Sequence, residues 1–255
     1  MNIQSMWVGK NLSKIENSCI QSFLNHGMDY HLYVYENVDN VPDGVKILDA
    51  NEVIPENEIV TYREAGGAHC GQGGSYAGFA DRFRWTLMYK LGGCWVDTDV
   101  CCIKKFEIPT EKVAGELHRD SETHASTQFL HFNAGNSMMK DFYDHCNSID
   151  CSDIEWGDIG PKLIDDKINN SAYWKGDGHY ADYKLDYRNF NAIPYWDWKL
   201  FLSNSKVDIK KIDKIKNDEN VYCMHLWNEM WRRAGVDKNG DFDDGSFISN
   251  LIKNL

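Results

Sequence analysis

The chain opens on an apolar run, Ile3-Gln4-Ser5-Met6-Trp7-Val8, closed by Gly9, which predicts a buried strand. Ile15, Cys19, Ile20, Phe23 and Leu24 then recur at helical spacing. His31 to Tyr35 and Val45 to Leu48 predict a second and a third strand. Strand, helix, strand in this rhythm predicts an α/β fold with a largely parallel sheet. Further on, Phe79, Ala80, Phe83, Leu87, Met88 and Leu91 make a helical stripe that Gly92-Gly93 should stop. Cys94-Trp95-Val96-Asp97-Thr98-Asp99-Val100 follows and alternates like a strand leaving the core. Lys206 to Lys216 reads as an amphipathic helix with a basic, solvated face, and Phe247 to Ile252 as a short helix docked on the core. The Gly-rich stretch from Ala65 to Gly78 lacks the Gly-Lys-Ser/Thr ending of a phosphate loop and reads as a surface loop.

With 255 residues, 42% of them hydrophobic and 26% charged, the chain can bury a sizeable core. Twenty-seven basic against 39 acidic side chains give a formal net charge of −12, which argues against nucleic acid as a partner. No apolar run approaches a membrane span, and the first residues lack the features of a signal peptide. A cytoplasmic protein is expected, with at most peripheral contact at the inner face of a membrane. The eight cysteines lack paired Cys-x-x-Cys knuckles and read as reduced core thiols.

Asp97 and Asp99 are two apart on the expected strand, so both carboxylates should project from one face. Adjacent acids repel, and a divalent cation with oxygen ligands relieves that repulsion. A solvated turn with two exposed acids is the alternative, although apolar Cys94-Trp95-Val96 leads straight into the pair. Asp81 and Arg84, three apart on the preceding helix, are either a surface ion pair or a site for ribose hydroxyls and phosphate oxygens.

The stretch Ala80-Asp81-Arg82-Phe83-Arg84-Trp85, followed by Gly92-Gly93-Cys94-Trp95-Val96-Asp97-Thr98-Asp99, resembles the signature of Asp-x-Asp glycosyltransferases. Glycosyltransferase family 32 is the nearest pattern, and the glucosyltransferase domains of large clostridial toxins are similar. Ser5 to Gly9, Phe132 to Asn136, Gly157 to Pro161 and His225 to Asn228 resemble further landmarks of that family. The resemblance implies a GT-A fold: one α/β domain over 1–255, with residues to about 110 binding the nucleotide-sugar and the remainder facing the acceptor. It also implies a UDP- or GDP-sugar donor, with UDP favoured, manganese or magnesium as cofactor, and retention of anomeric configuration. Carried over by position, Trp7 stacks on the nucleobase, Asp81 holds ribose or donor hydroxyls, and Arg84 meets the donor sugar or diphosphate. Asp97 touches the ribose and the metal shell, Asp99 ligates the metal, and His225 is a further ligand or else a packed core histidine. Trp227 or Asn228 reaches the leaving diphosphate.

Asn133 is read as a donor-sugar contact or a turn residue, and Asp158 as a sugar-side acid or a helix-start residue. Tyr195-Trp196-Asp197-Trp198 offers either flat faces for an acceptor glycan or core and lid residues. A glycan or lipid-linked acceptor is expected. The rival readings are a metal-dependent phosphohydrolase and a non-catalytic carbohydrate- or calcium-binding protein. Asp237 to Asp243 resembles the start of a calcium loop, but Phe242 replaces its glycine and Ile248 its closing glutamate, so an acidic turn is expected.

Overall fold

The computed structural model describes residues 1–62, 74–169 and 180–253. Most of the Gly-rich stretch read as a loop, residues 65–73, lies outside the described residues.

The chain alternates as expected: β1 (Asn2–Trp7), α1 (Lys14–Asn25), β2 (Asp29–Val34), β3 (Lys46–Asp49), α2 (Ala77–Lys90) and β4 (Gly93–Val96). Ser13 and Glu16 start α1 with a capping box, each satisfying a backbone amide of the other's turn. Gly92 ends α2 in a left-handed conformation, φ 65°. A Cβ there would lie 2.4 Å from the Ala134 amide nitrogen, so close packing as well as conformation requires glycine.

After β4 come β5 (Val100–Cys102), β6 (Lys112–Leu117), β7 (Thr123–Phe132), α3 (Ser137–Ser148), α4 (Pro161–Asn169) and α5 (Arg188–Asn191). The chain closes with a 3-10 segment at Tyr195–Leu202, α6 (Lys206–Lys216), β8 (Cys223–His225), α7 (Asn228–Arg233) and α8 (Phe247–Lys253).

The main sheet has the order β3-β2-β1-β4-β7-β6. The first four are mutually parallel, and β7 lies antiparallel between β4 and β6. The α/β class, the mixed and mostly parallel sheet and the flanking helices expected of a GT-A fold are therefore present. Strands from before and after residue 110 share this one sheet.

Alternation along β4 assigns its faces. Trp95 packs with Phe83, Trp85, Leu130, Phe142 and Ile164 beneath α2, α3 and α4, whereas Cys94 and Val96 meet Ile20, Phe23 and Phe129 beneath α1. A two-stranded sheet of β5 and β8 joins α6, α7 and α8 around Trp231, Phe247 and Ile212. The seven described cysteines are buried and free, in keeping with core thiols. No helix among the described residues is long and apolar enough to cross a membrane.

Candidate active site

Parallel strands end together, so Trp7 and Val96 lie at one edge of the sheet, the edge where α/β folds build ligand sites. The expected strand through Asp99 is shorter than the alternation suggested: β4 stops at Val96, and Asp97 to Val100 form a turn closed by the Val100 amide donating to Asp97 O at 3.0 Å. The two carboxylates thus converge through a turn and not by sharing a strand face. The turn is pinned on both sides. The Asp97 amide donates to Gln128 O at 3.0 Å, and Asp99 O accepts the Leu226 amide at 2.9 Å.

Each of Asp97, Asp99 and His225 presents a ligand atom, all within 4.8 Å of one another. His225 Nε2 is 3.3 Å from Asp99 Oδ2, and the same oxygen accepts the Asn228 amide at 2.9 Å. That amide points at Asp99 because Trp227 takes a left-handed conformation, φ 60°, costly for a bulky residue. His225 Nδ1 and Asn228 Oδ1 are buried with no hydrogen-bond partner among the described residues. Two carboxylates, an imidazole and orphaned lone pairs are a donor set that fits manganese or magnesium.

Charge is finely balanced here. Burial would raise Asp99, but the charge and hydrogen bond of His225, the Asn228 amide and Lys238 hold it at about 2. Asp97 moves the other way, pushed up by burial and by Asp99 against the pull of Arg84. Burial would lower His225, yet Asp99 and Asp97 raise it above its ordinary 6.5. A raised histidine stabilises the fold fully below pH 6.5 and loses that contribution as pH climbs through its folded value. The metal-free protein should therefore show a falling Tm across that window. A divalent cation must displace the proton, so manganese affinity by calorimetry should rise over the same window. The dependence should flatten in His225→Asn.

α2 supplies the next layer. Arg84 lies 3.2 Å from Asp81 Oδ1 and 2.9 Å from Asp97 Oδ1, with its guanidinium 5.1 Å from the centre of the Trp95 ring. Trp95 Nε1 donates to Asp97 at 2.8 Å. Asp81 is buried, and burial lifts it to about 7 despite Arg84. Gly160 lies so close to Asp81 that a Cβ there would sit 2.1 Å from Oδ2, and Trp85 Nε1 fastens this segment by donating to Ile159 O.

The opposite wall comes from both ends of the chain. Glu16, 1% exposed, accepts from the Asn228 side-chain amide at 2.5 Å and is in contact with Lys238. The lysine ammonium stands 6.0 Å from the Trp7 ring centre, and Trp7 Nε1 is buried without a partner among the described residues. Residues 237–243 form an acidic turn, as expected, and their one lysine closes the site. The Trp227 indole N–H donates to Ile193 O at 2.8 Å, so that group is already occupied.

Two expected residues are not brought into this cluster. Asn133 is exposed, its amide donating to Glu111 at 3.0 Å. Because β7 is antiparallel to β4, with Gly93 opposite Phe132, Asn133 lies beside the start of β4, at the far end of the strand from Asp97. Asp158 faces solvent, pairs with Lys162 at 3.1 Å and accepts the Glu155 amide at 2.9 Å. Its carboxyl is spent on its own turn.

The residue that β7 does carry to Asp97 is Gln128, which sequence reasoning passed over. It shares the Leu130 face by alternation, and both its amide nitrogen and oxygen are buried without a partner among the described residues. No local pattern singles it out, because Ser126 and Thr127 precede it and only Phe129-Leu130 beside it are apolar.

Residues 131–243 match the alpha 1,4-glycosyltransferase conserved region. The chain is 26% identical over 161 residues to lactosylceramide 4-alpha-galactosyltransferase of Pongo pygmaeus, covering 59% of this chain and 66% of the relative. It is 26% identical over 159 residues to human alpha-1,4-N-acetylglucosaminyltransferase, covering 59% and 42%. The chain thus spans less than two thirds of these relatives' length. Among solved structures, an active-site mutant of LgtC is 12% identical with a TM-score of 0.46, covering 92% of this chain and 95% of that one. The resemblance to glycosyltransferases read from the sequence stands.

Proposed function

We propose that the protein is a metal-dependent glycosyltransferase. It moves a hexose from a nucleotide-sugar, UDP-linked in preference to GDP-linked, to a hydroxyl of a glycan or lipid-linked acceptor. The observation that carries this reading is the Asp97–Asp99–His225 cluster at the strand edge, flanked by Arg84 and Lys238. Asp97, Asp99 and His225 would hold a divalent cation, which would supply neutralisation of the negative charge that builds on the diphosphate.

The chain's own residues do the rest. Trp7 offers a ring for the nucleobase, and its free indole N–H a polar contact. Lys238 and Asn228, anchored by Glu16, face the space between that ring and Asp99, where a diphosphate belongs. Arg84 holds Asp97 and Asp81 in place and sets a buried positive charge behind the reacting centre. Asp81 and Gln128 offer hydrogen bonds to donor hydroxyls.

The relatives are named as alpha transferases, and sugar nucleotides of galactose and N-acetylglucosamine carry alpha linkages, which supports retention. Asp158 is engaged by Lys162 and by its own turn, which favours front-face attack over a covalent carboxylate. The acceptor oxygen bonds to the anomeric carbon as the bond to the diphosphate breaks. The electron pair leaves with the diphosphate, and the acceptor proton passes to the departing oxygen. The setting proposed is cytoplasmic, with the lysine face of α6 limited to peripheral contact with an anionic membrane.

The experiment is a panel of UDP- and GDP-sugars with manganese and lactose, following nucleoside diphosphate, nucleoside monophosphate and glycosylated product together. Nucleoside diphosphate release matched by glycosylated lactose supports transfer. Release of nucleoside monophosphate with sugar 1-phosphate would favour the phosphohydrolase, and no turnover of any donor a binding protein. In the same assay Gln128→Leu should lower donor turnover about tenfold, the worth of one hydrogen bond, while leaving Tm unchanged or higher because an unpaired buried amide is gone. A lower Tm with unchanged turnover would make Gln128 a packing residue.

A further inference from the structure

The β6–β7 hairpin runs beyond the sheet that it joins. Val96 pairs with Phe129, so residues 123–127 and their partners on β6 project past the end of β4, over the edge that carries the metal cluster. The hairpin turn is fixed by the His118 amide donating to Glu122 O and the Ser121 amide to His118 O. Arg119 at its tip reaches the 3-10 segment, its guanidinium 5.2 Å from the Trp196 ring centre and 5.9 Å from that of Tyr195.

Rings connect that tip to the metal site. Tyr195 and Trp196 meet edge to face at 5.0 Å, Tyr195 meets Trp227 at 6.1 Å, and Trp227 lies 4.0 Å from His225. All four are only partly buried. The hairpin adds polar groups along the same side. Glu116 accepts from Ser126 Oγ at 2.8 Å, stands 3.7 Å from His118 Nε2, and its charge is felt at His225. His118 stacks on His124 at 3.9 Å. His124 is held by Asp165 at 2.6 Å and keeps a buried Nε2 with no partner among the described residues.

A pyranose has an apolar C–H face and a rim of hydroxyls. It is recognised by an aromatic plane beside charged groups that form paired hydrogen bonds. We propose that Tyr195, Trp196 and Trp227, with Arg119 across them and Glu116 and His118 on the hairpin wall, are the acceptor subsite, and that it takes the terminal hexopyranose of a glycan. This rests on the glycosyl-transfer reading, and it resolves the aromatic run Tyr195 to Trp198. Trp198 is core, packed 6.1 Å from Trp231, while Tyr195 and Trp196 stay partly exposed beneath Arg119, Tyr195 against Trp227. Arg119 lies over the rings in a weak, exposed contact that a sugar face can replace while the guanidinium swings to the hydroxyl rim.

The test uses the full chain with manganese, lactose as the acceptor probe and UDP-galactose as donor. Lactose binding is read by saturation-transfer NMR without donor, and transfer kinetics are read separately. Wild-type protein should bind lactose with contacts to its terminal galactose. Arg119→Ala and Trp196→Ala should raise the lactose KM at least tenfold at constant KM for UDP-galactose. Arg119 is exposed at a turn, so its variant folds whatever the fate of the tryptophan variant. Absence of lactose binding by the wild type, or a lactose KM within twofold of wild type in both variants, would overturn the proposal. Failure of the transfer reading has a different signature, because manganese-dependent UDP release from UDP-galactose in water alone would then be missing.

Discussion

Asp99→Ala should abolish metal-dependent turnover of the donor, with a loss of about 10³-fold or more in kcat/KM. Asp99 is the acid on which the site converges: its side chain faces His225 at 3.3 Å and the Asn228 amide at 2.9 Å, and its backbone oxygen fixes Leu226. Its carboxyl, held at about 2, is ionised at every working pH and ready for a cation. The variant removes one carboxylate and leaves β5 and β8 paired, so Tm should change far less than activity. Donor turnover with and without manganese, beside a thermal melt, checks both halves. An Asp99→Ala protein that keeps full manganese-dependent turnover contradicts the metal assignment.

Arg84→Met should carry the largest stability loss of any single change at the site. Arg84 stands between Asp81, buried like itself, and the partly buried Asp97, and its loss leaves the two acids without their shared cation. Breaking a buried ion pair from one side costs about 3–5 kcal/mol, or about 10 °C in Tm for a chain of this size. The remedy should be specific. Asp81→Asn in the Arg84→Met background removes one of the two facing acids and should recover part of the loss, whereas alone it strands Arg84 with a single partner. A melting series over the four proteins gives the coupling directly, and strict additivity would show that the three groups do not act as a unit.

The parts of this account legible in sequence are those with local periodicity. The stripe Phe79 to Leu91 and its glycine stop define α2, and with it the positions of Asp81 and Arg84. The apolar lead into Asp97 marks a buried strand end. Asp97 and Asp99 converge through a turn and not on a shared strand face, because period-two spacing is the same in a strand and in a tight turn after it.

The direction of β7 was beyond reach. Its Ala, Ser, Thr and His residues give no clean alternation, and only the antiparallel pairing with β4 puts Gln128 beside Asp97 and carries Asn133 away. Likewise Glu16 and Lys238 lie at opposite ends of the chain, so no local pattern signals that they touch. Trp227 shows the same limit in the backbone: nothing in Leu226-Trp227-Asn228 announces a left-handed tryptophan, yet that conformation aims the Asn228 amide at Asp99.

A crystal of the protein grown with manganese and UDP tests the central claim most directly, because manganese is located by its anomalous signal. The account predicts the ion between Asp97, Asp99 and His225, bound to both phosphates, with uracil against Trp7 and Lys238 on the diphosphate. Manganese and UDP bound together at any other place, with the three side chains unchanged, would contradict it.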